Sequence, residues 1–179
     1  MDSRDVNKAI RLKIRPLLKA AGFSRFTPRN AWRFGTSKVD VVNFQSFNSY
    51  IAECIGCTTY SFSVNLGRRF FDEHNAKLPK EYHCQFRGRV HRNFHQLELE
   101  RRDIWCLDPA GKYLDRVMSD VAFSLQIEAV PWFERLKERD EVLRILNEDS
   151  ETETLWGFGA KNSPFRLMFL ADVKRHAQF

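Results

Sequence analysis

The chain has 179 residues, 43% of them hydrophobic and 13% aromatic, and a formal net charge of +6. That is enough apolar material for the core of one domain, and no apolar run approaches the ~20 residues a membrane-spanning helix needs. The first residues, Met1-Asp2-Ser3-Arg4-Asp5, enter a charged amphipathic pattern with no apolar signal region. The expectation is a cytoplasmic protein with no membrane contact, its four cysteines (54, 57, 84 and 106) reduced.

Between residues 4 and 21, Val6, Ile10, Ile14, Leu17 and Ala21 recur at helical spacing. Asp2 or Ser3 can cap the start, Gly22 can end the helix, and Pro16 predicts a kink or a break into two short helices. Residues 29–34 and 38–45 read as strands around a Gly35-Thr36-Ser37 turn, and 47–56 as an irregular loop. From 57 to 67, Tyr60, Phe62, Val64 and Leu66 alternate with Thr59, Ser61, Ser63 and Asn65, the period of a strand with one apolar face. Residues 67–79 read as a loop with a short helical turn. Residues 82–90 alternate again, Tyr82, Cys84, Phe86, Gly88 and Val90 against His83, Gln85, Arg87 and Arg89. An irregular 92–102 leads to a short strand at 103–107 that carries Trp105.

The remainder reads as helical. Leu114, Val117, Met118, Val121 and Leu125 mark a helix over 112–129, and Pro131 opens another before Trp132, Phe133 and Leu136. Val142, Leu143 and Leu146 continue this second short helix, 148–154 reads as an exposed acidic loop, and Ser163-Pro164 as the start of a last helix through Phe165, Met168, Phe169 and Val173. Strands followed by helices predict one α+β domain over 1–179, strand-rich at about 29–107 and helical at about 111–177. The expected sheet is mainly antiparallel with four or five strands, the N-terminal and C-terminal helices packed on one face.

Several short segments, in order and spacing, resemble an uncharacterised bacterial family catalogued as domain of unknown function 4304. They are Val41-Val42-Asn43-Phe44-Gln45, Phe62-Ser63-Val64-Asn65-Leu66-Gly67, Tyr82-His83-Cys84-Gln85-Phe86-Arg87 and Asp103-Ile104-Trp105. Ala21-Gly22-Phe23 and Pro131-Trp132-Phe133-Glu134-Arg135 extend the likeness to roughly residues 4–147. The resemblance implies a fold unit and no catalytic residues, since the family has no established activity.

Chemistry-bearing patterns are few. Cys54-Ile55-Gly56-Cys57 has zinc-ligand spacing, and Cys84 with His83 would complete four ligands. Alternation instead places Cys57 on the polar and Cys84 on the apolar side of the sheet, so no metal and no other cofactor is expected. His83, His91 and His95 lack a helical His-Glu-x-x-His and read as surface imidazoles. A metal-dependent nuclease needs strand-borne carboxylates, but among Asp40, Glu53, Asp72 and Glu73 only Asp40 lies clearly in a strand. There is no Gly-x-Ser-x-Gly elbow and no phosphate-binding Gly-x-x-x-x-Gly-Lys loop. Trp156-Gly157-Phe158-Gly159 reads as a turn.

What remains is a polar sheet face. Asn43, Gln45, Ser61, Ser63, Asn65, His83, Gln85, Arg87 and Arg89 share it if the strands at 57–67 and 82–90 are neighbours. Guanidinium forks beside amides suit a carboxylate or phosphate. Residues 1–102 carry 19 Lys/Arg against 9 Asp/Glu, and 103–155 carry 6 against 13. These halves either attract each other or leave a basic face for an anionic partner. The leading expectation is a non-enzymatic binding or protein-interaction module that recognises an anionic small molecule or a protein. The alternatives are an enzyme using His83, Arg87 and Asn65 in the same cleft, or a nucleic-acid-binding protein. RNA-binding sheets stack bases on exposed aromatics, and here alternation puts the aromatics on the apolar side.

Overall fold

A computed structural model describes residues 1–70, 78–94, 101–147 and 164–175. Five strands pair antiparallel in chain order: β1 (Arg25–Phe26), β2 (Asn30–Phe34), β3 (Lys38–Ser46), β4 (Phe62–Phe70) and β5 (Phe86–Arg89). This is the α+β meander that the short strand connections imply. β1, which alternation did not mark, is only two residues long. The stretch at 103–107 contributes a single bridge, Phe62 with Trp105.

The register sorts the side chains into two faces. Phe44 lies opposite Val64, Val42 opposite Leu66 and Asp40 opposite Arg68, while Gln45, Asn43 and Val41 face Ser63, Asn65 and Gly67. Helices cover the first set. α1 (Ser3–Ala9) is held at its start by Asp2, which accepts from the Arg4 and Asp5 amides. It continues through a π-helical turn, Ile10–Ile14, into α2 (Arg15–Ala20). Pro16 therefore neither breaks nor ends the helix: it sits in the first turn of α2, where a missing amide hydrogen is tolerated. After the wide turn the core residue is Leu18, fully buried, and Leu17 is only half-buried, one position later than a regular helix predicts.

α3 (Ser49–Ile55) occupies the segment expected to be an irregular loop. Asn48 accepts from the Ile51 amide at 2.8 Å, and Gly56 closes the helix at φ 76°. These are the N-cap and left-handed C-cap signals of a short helix. α4 (Leu114–Ser124) passes through a second π-helical turn, Leu125–Ala129, into α5 (Val130–Arg135), again with a proline in the first turn after it. α6 (Arg139–Asn147) and α7 (Pro164–Arg175) follow. The acidic segment at 148–154 and Ser163 lie outside the described residues.

Val42, Phe44, Phe62, Val64 and Leu66 pack against Val6, Ile10, Ile14 and Leu18, and against Val117, Val121, Leu125, Ala129 and Phe133. A second cluster joins Phe70 and Phe86 to α6 and α7. Each such side chain contributes roughly 1.5–3 kcal/mol by leaving water. At one end of this helix-covered face lies a charge cluster. Arg68, 0% exposed, donates from Nε and Nη2 to Asp40 at 2.5 and 2.9 Å, and Arg33 donates to the same carboxylate at 2.7 Å. Asp40, the strand-borne acid a nuclease reading required, is thus held between two guanidiniums.

Candidate functional site

The other face of the sheet is where the expected polar residues should stand, and its far half is closed by the chain itself. Residues 78–84 fold back over β4. Trp32 Nε1 donates to the Pro79 carbonyl at 2.7 Å, and Cys84 packs with Trp32 and Val41. The approach is close enough to require glycine at 67: a Cβ there would stand 2.7 Å from Cys84 Sγ and 3.0 Å from Glu81 Cα. Consequently 82–85 are not strand. Glu81–His83 form a 3-10 turn and β5 begins at Phe86. Tyr82 and Cys84, placed by alternation on the apolar face with Phe86, belong instead to this covering segment. Pro79 and Gly67 were the available signals, since proline stays out of inner strands and a strand glycine marks close backbone approach.

Where the covering segment ends, a cleft of about 230 Å³ opens, lined by Gln45, Asn65, Leu66, Glu81, Tyr82, Arg87, Gly88 and Arg89. Four of the nine candidate residues therefore meet in one place, as the pairing of β4 with β5 brings Asn65 opposite Arg89 and Gly67 opposite Arg87. Asn65 Nδ2 donates to Gln45 Oε1 at 2.7 Å, and Arg89 Nε donates to Asn65 Oδ1 at 3.2 Å. Arg89 also donates from Nη1 to Asp103 at 2.5 Å, and Arg101 reaches the same carboxylate. Burial pushes the Asp103 carboxyl up, but the hydrogen bonds from Arg101 and Arg89 outweigh it and hold the group below the usual carboxylate range. Arg89 is thereby fixed and partly neutralised before any ligand arrives. Arg87 is half-buried in the cleft wall. Tyr82, 54% exposed, offers its ring at the rim.

The other five candidates are elsewhere. Ser61 is fully buried below β4, where its Oγ accepts from the Leu107 amide at 2.9 Å and joins Thr58 in a tight turn. This turn replaces the first residues of the strand expected from 57. Ser63, expected to face water or a ligand, is buried at 4% exposure on the inner strand β4. Gln85 ends the sheet: its amide accepts from the Phe70 N–H at 3.0 Å and donates to the Phe70 carbonyl at 3.3 Å, in place of a backbone pair. Asn43 donates to Asn30 at 2.8 Å. His83 is exposed on the 3-10 turn, accepting from the Lys80 amide at 3.4 Å, and does not line the cleft. An enzyme built on His83, Arg87 and Asn65 thus lacks its imidazole in this cleft.

The remaining candidate groups lie elsewhere. Cys84 sits under Gly67, its thiol pushed up to about 12 by burial, while Cys57 stands beside Cys106. Among the described residues no group of three or more His, Cys, Asp and Glu is placed to hold a metal ion. His91 Nδ1 lies 3.1 Å from Glu128, and His95 lies outside the described residues. The basic and acidic halves do meet. Lys13 reaches Asp115, Arg33 reaches Glu134 and Arg89 reaches Asp103. Among the described residues no helix is long and apolar enough to cross a membrane.

Neither a curated protein nor a solved structure matches the chain. A family model does, over residues 14–135, which takes in the whole sheet, the covering segment and the cleft. The chain therefore belongs to the family described as Domain of unknown function (DUF4304).

Proposed function

We propose that the chain is a cytoplasmic binding module whose cleft between β5 and the covering segment receives a small anionic group. The observation that carries this reading is the convergence of Arg87, Arg89, Asn65 and Gln45 on one concavity with a tyrosine ring at its mouth. Guanidinium forks supply charge-assisted hydrogen bonds to a carboxylate or phosphate, and the Asn65–Arg89–Asp103 chain holds one fork in place beforehand. At about 230 Å³ the cleft is below the ~300–1,000 Å³ of sites that enclose drug-sized ligands. This favours a single anionic group over a whole nucleotide. Glu81 on the rim opposes long polyanions, which weighs against a nucleic acid. Four free cysteines suit a reducing compartment.

The test is a melting curve at constant ionic strength, with inorganic phosphate or acetate replacing chloride. Wild type should gain several degrees saturably with one of them, as ligand linkage requires, and Arg87→Ala should not. An equal gain in both proteins, or none in wild type with any small carboxylate or phosphate, would sink the reading.

A further inference from the structure

A larger cavity, about 490 Å³, lies away from the cleft between the end of α3, the stretch after Trp105 and the start of α4. Cys57 and Cys106 both stand in its wall, with Leu107, Pro109, Tyr113 and Phe94 around them. They are 49 positions apart, and alternation gave no reason to pair them. The fold does. The Phe62–Trp105 bridge carries two backbone hydrogen bonds, at 3.2 and 2.9 Å. Just beyond it, the Thr58–Ser61 turn is tied to Leu107: Leu107 N donates to Ser61 Oγ at 2.9 Å and Thr58 Oγ1 donates to the Leu107 carbonyl at 2.9 Å. Cys57 precedes one clamped residue and Cys106 the other, so the clamp sets the two thiols in the same cavity wall, near enough for each to act on the other's ionisation. Cys57 is half-buried, whereas Cys106 is nearly covered. Both line the cavity, and Cys57 is the more exposed of the two.

We propose that Cys57 and Cys106 are a reversible redox pair that closes to an intramolecular disulfide when a small disulfide enters this cavity. The Cys57 thiolate attacks one sulfur of the entering disulfide and displaces the first half as a thiol. The Cys106 thiolate then attacks the Cys57 sulfur and displaces the second. Two protein thiols and one disulfide become one protein disulfide and two small thiols, with two electrons passing to the reagent. The bond would staple the 57–61 turn to the stretch that follows Trp105, enclosing β4 and β5 in one covalent loop. Burial raises the Cys57 thiol and takes Cys106 up to about 11, so the pair is mostly protonated at neutral pH and the exchange is slow there. Such a pair is quiet under reducing conditions and responds to a sustained rise in oxidised thiols.

The probe is hydroxyethyl disulfide, applied to the folded Cys54→Ser variant, which removes the exposed neighbour three residues from Cys57. After acid quench, denaturation and alkylation with N-ethylmaleimide, the variant should carry one adduct, on Cys84, and a digest should yield a peptide joining Cys57 to Cys106. The closure rate should rise about tenfold from pH 7 to pH 8, while the thiols are still mostly protonated. In wild type the same 57–106 link should dominate. Three adducts in the variant, mercaptoethanol retained on Cys57, a link from Cys57 to Cys84, or a dominant 54–57 link in wild type would each overturn the proposal.

Discussion

Two arginine clusters occupy opposite faces of one sheet, and they are neutralised differently. On the helix-covered face, Arg33 and Arg68 share the single carboxylate of Asp40. Their guanidiniums also stack on Phe133 at 5.4 and 5.6 Å, with Phe23 and Phe70 on the outer sides. Glu134 reaches Arg33 from the helix side at 3.3 Å. No water reaches Arg68, so its charge must be met by the carboxylate and by aromatic faces, each worth roughly 0.5–2 kcal/mol. On the other face, Arg89 is matched by a carboxylate that Arg101 also shares, and the cleft beside it stays open. The same residue type is a clamp where water is excluded and a recognition group where it is not. Burial decides the role; charge alone does not.

Asp40→Ala is the most damaging way to break this contrast. It takes the carboxylate from fully buried Arg68 and leaves Arg33 with Glu134 alone, and losing one partner of a buried pair costs about 3–5 kcal/mol. Urea unfolding should show the unfolding free energy falling by that amount, through a lower midpoint at unchanged slope. A loss below about 1 kcal/mol would mean that the cluster is not the clamp described.

Gly67→Ala attacks the other face through its cover. The added methyl meets Cys84 Sγ at 2.7 Å and the Glu81 backbone at 3.0 Å, neither the end of a flexible chain. Overpacking of this kind costs about 1–3 kcal/mol. Amide hydrogen exchange should accelerate across 80–84 before it does so elsewhere. Uniform exchange with an unchanged melting temperature would show that the segment is not seated on Gly67.

Arg89→Ala should cost less, about 1 kcal/mol, because the pair with Asp103 is partly exposed. Its pH dependence has a definite sign. Asp103 is held below its usual value of 3.8 in the folded state. The stability it contributes is therefore fully present above that value and is lost as pH falls through the lower folded value. Melting temperatures of wild type and Arg89→Ala should differ at pH 6 and converge toward pH 2. A constant gap over that range would detach Arg89 from Asp103. Arg87→Ala should show its main effect in anion binding, with a urea curve that stays cooperative at unchanged slope.

The meander and its apolar face were legible because Phe62, Val64 and Leu66 alternate cleanly and Val42 and Phe44 match them across the register. The cleft was only partly so. Asn65, Gln45, Arg87 and Arg89 follow from strand parity, but Glu81 and Tyr82 come from a segment that leaves the sheet and folds back over it. Period-2 alternation continues through 82–85 by chance, and only Pro79 and Gly67 argue against it. Ser61, Ser63 and Gln85 show a different gap. Parity assigns a side chain to a face without saying whether a turn, a neighbour or a backbone amide has already taken it. Asp103 could not be found from spacing at all, because its partner Arg89 is 14 positions away on another element.

The two π-helical turns have a consequence for the helices that carry them. Val6, Ile10, Ile14 and Leu18 are buried at a strict interval of four, and so are Val117, Val121, Leu125, Ala129 and Phe133. On a regular helix each such step overshoots a full turn by about 40°, so the two rows would drift by about 120° and 160° around their axes. One extra residue in a wide turn cancels about 100° of that in a single place. Each π-helical turn is therefore a phase corrector, keeping one straight row of side chains against the sheet over its whole length. Deleting exposed Gln126 would let the second helix relax to regular winding and rotate everything beyond it. Phe133 would swing out from between Arg33 and Arg68, and Trp132 off Gly88. The angular phase of a helix, set some eight positions earlier, is what delivers an aromatic ring to a buried charge.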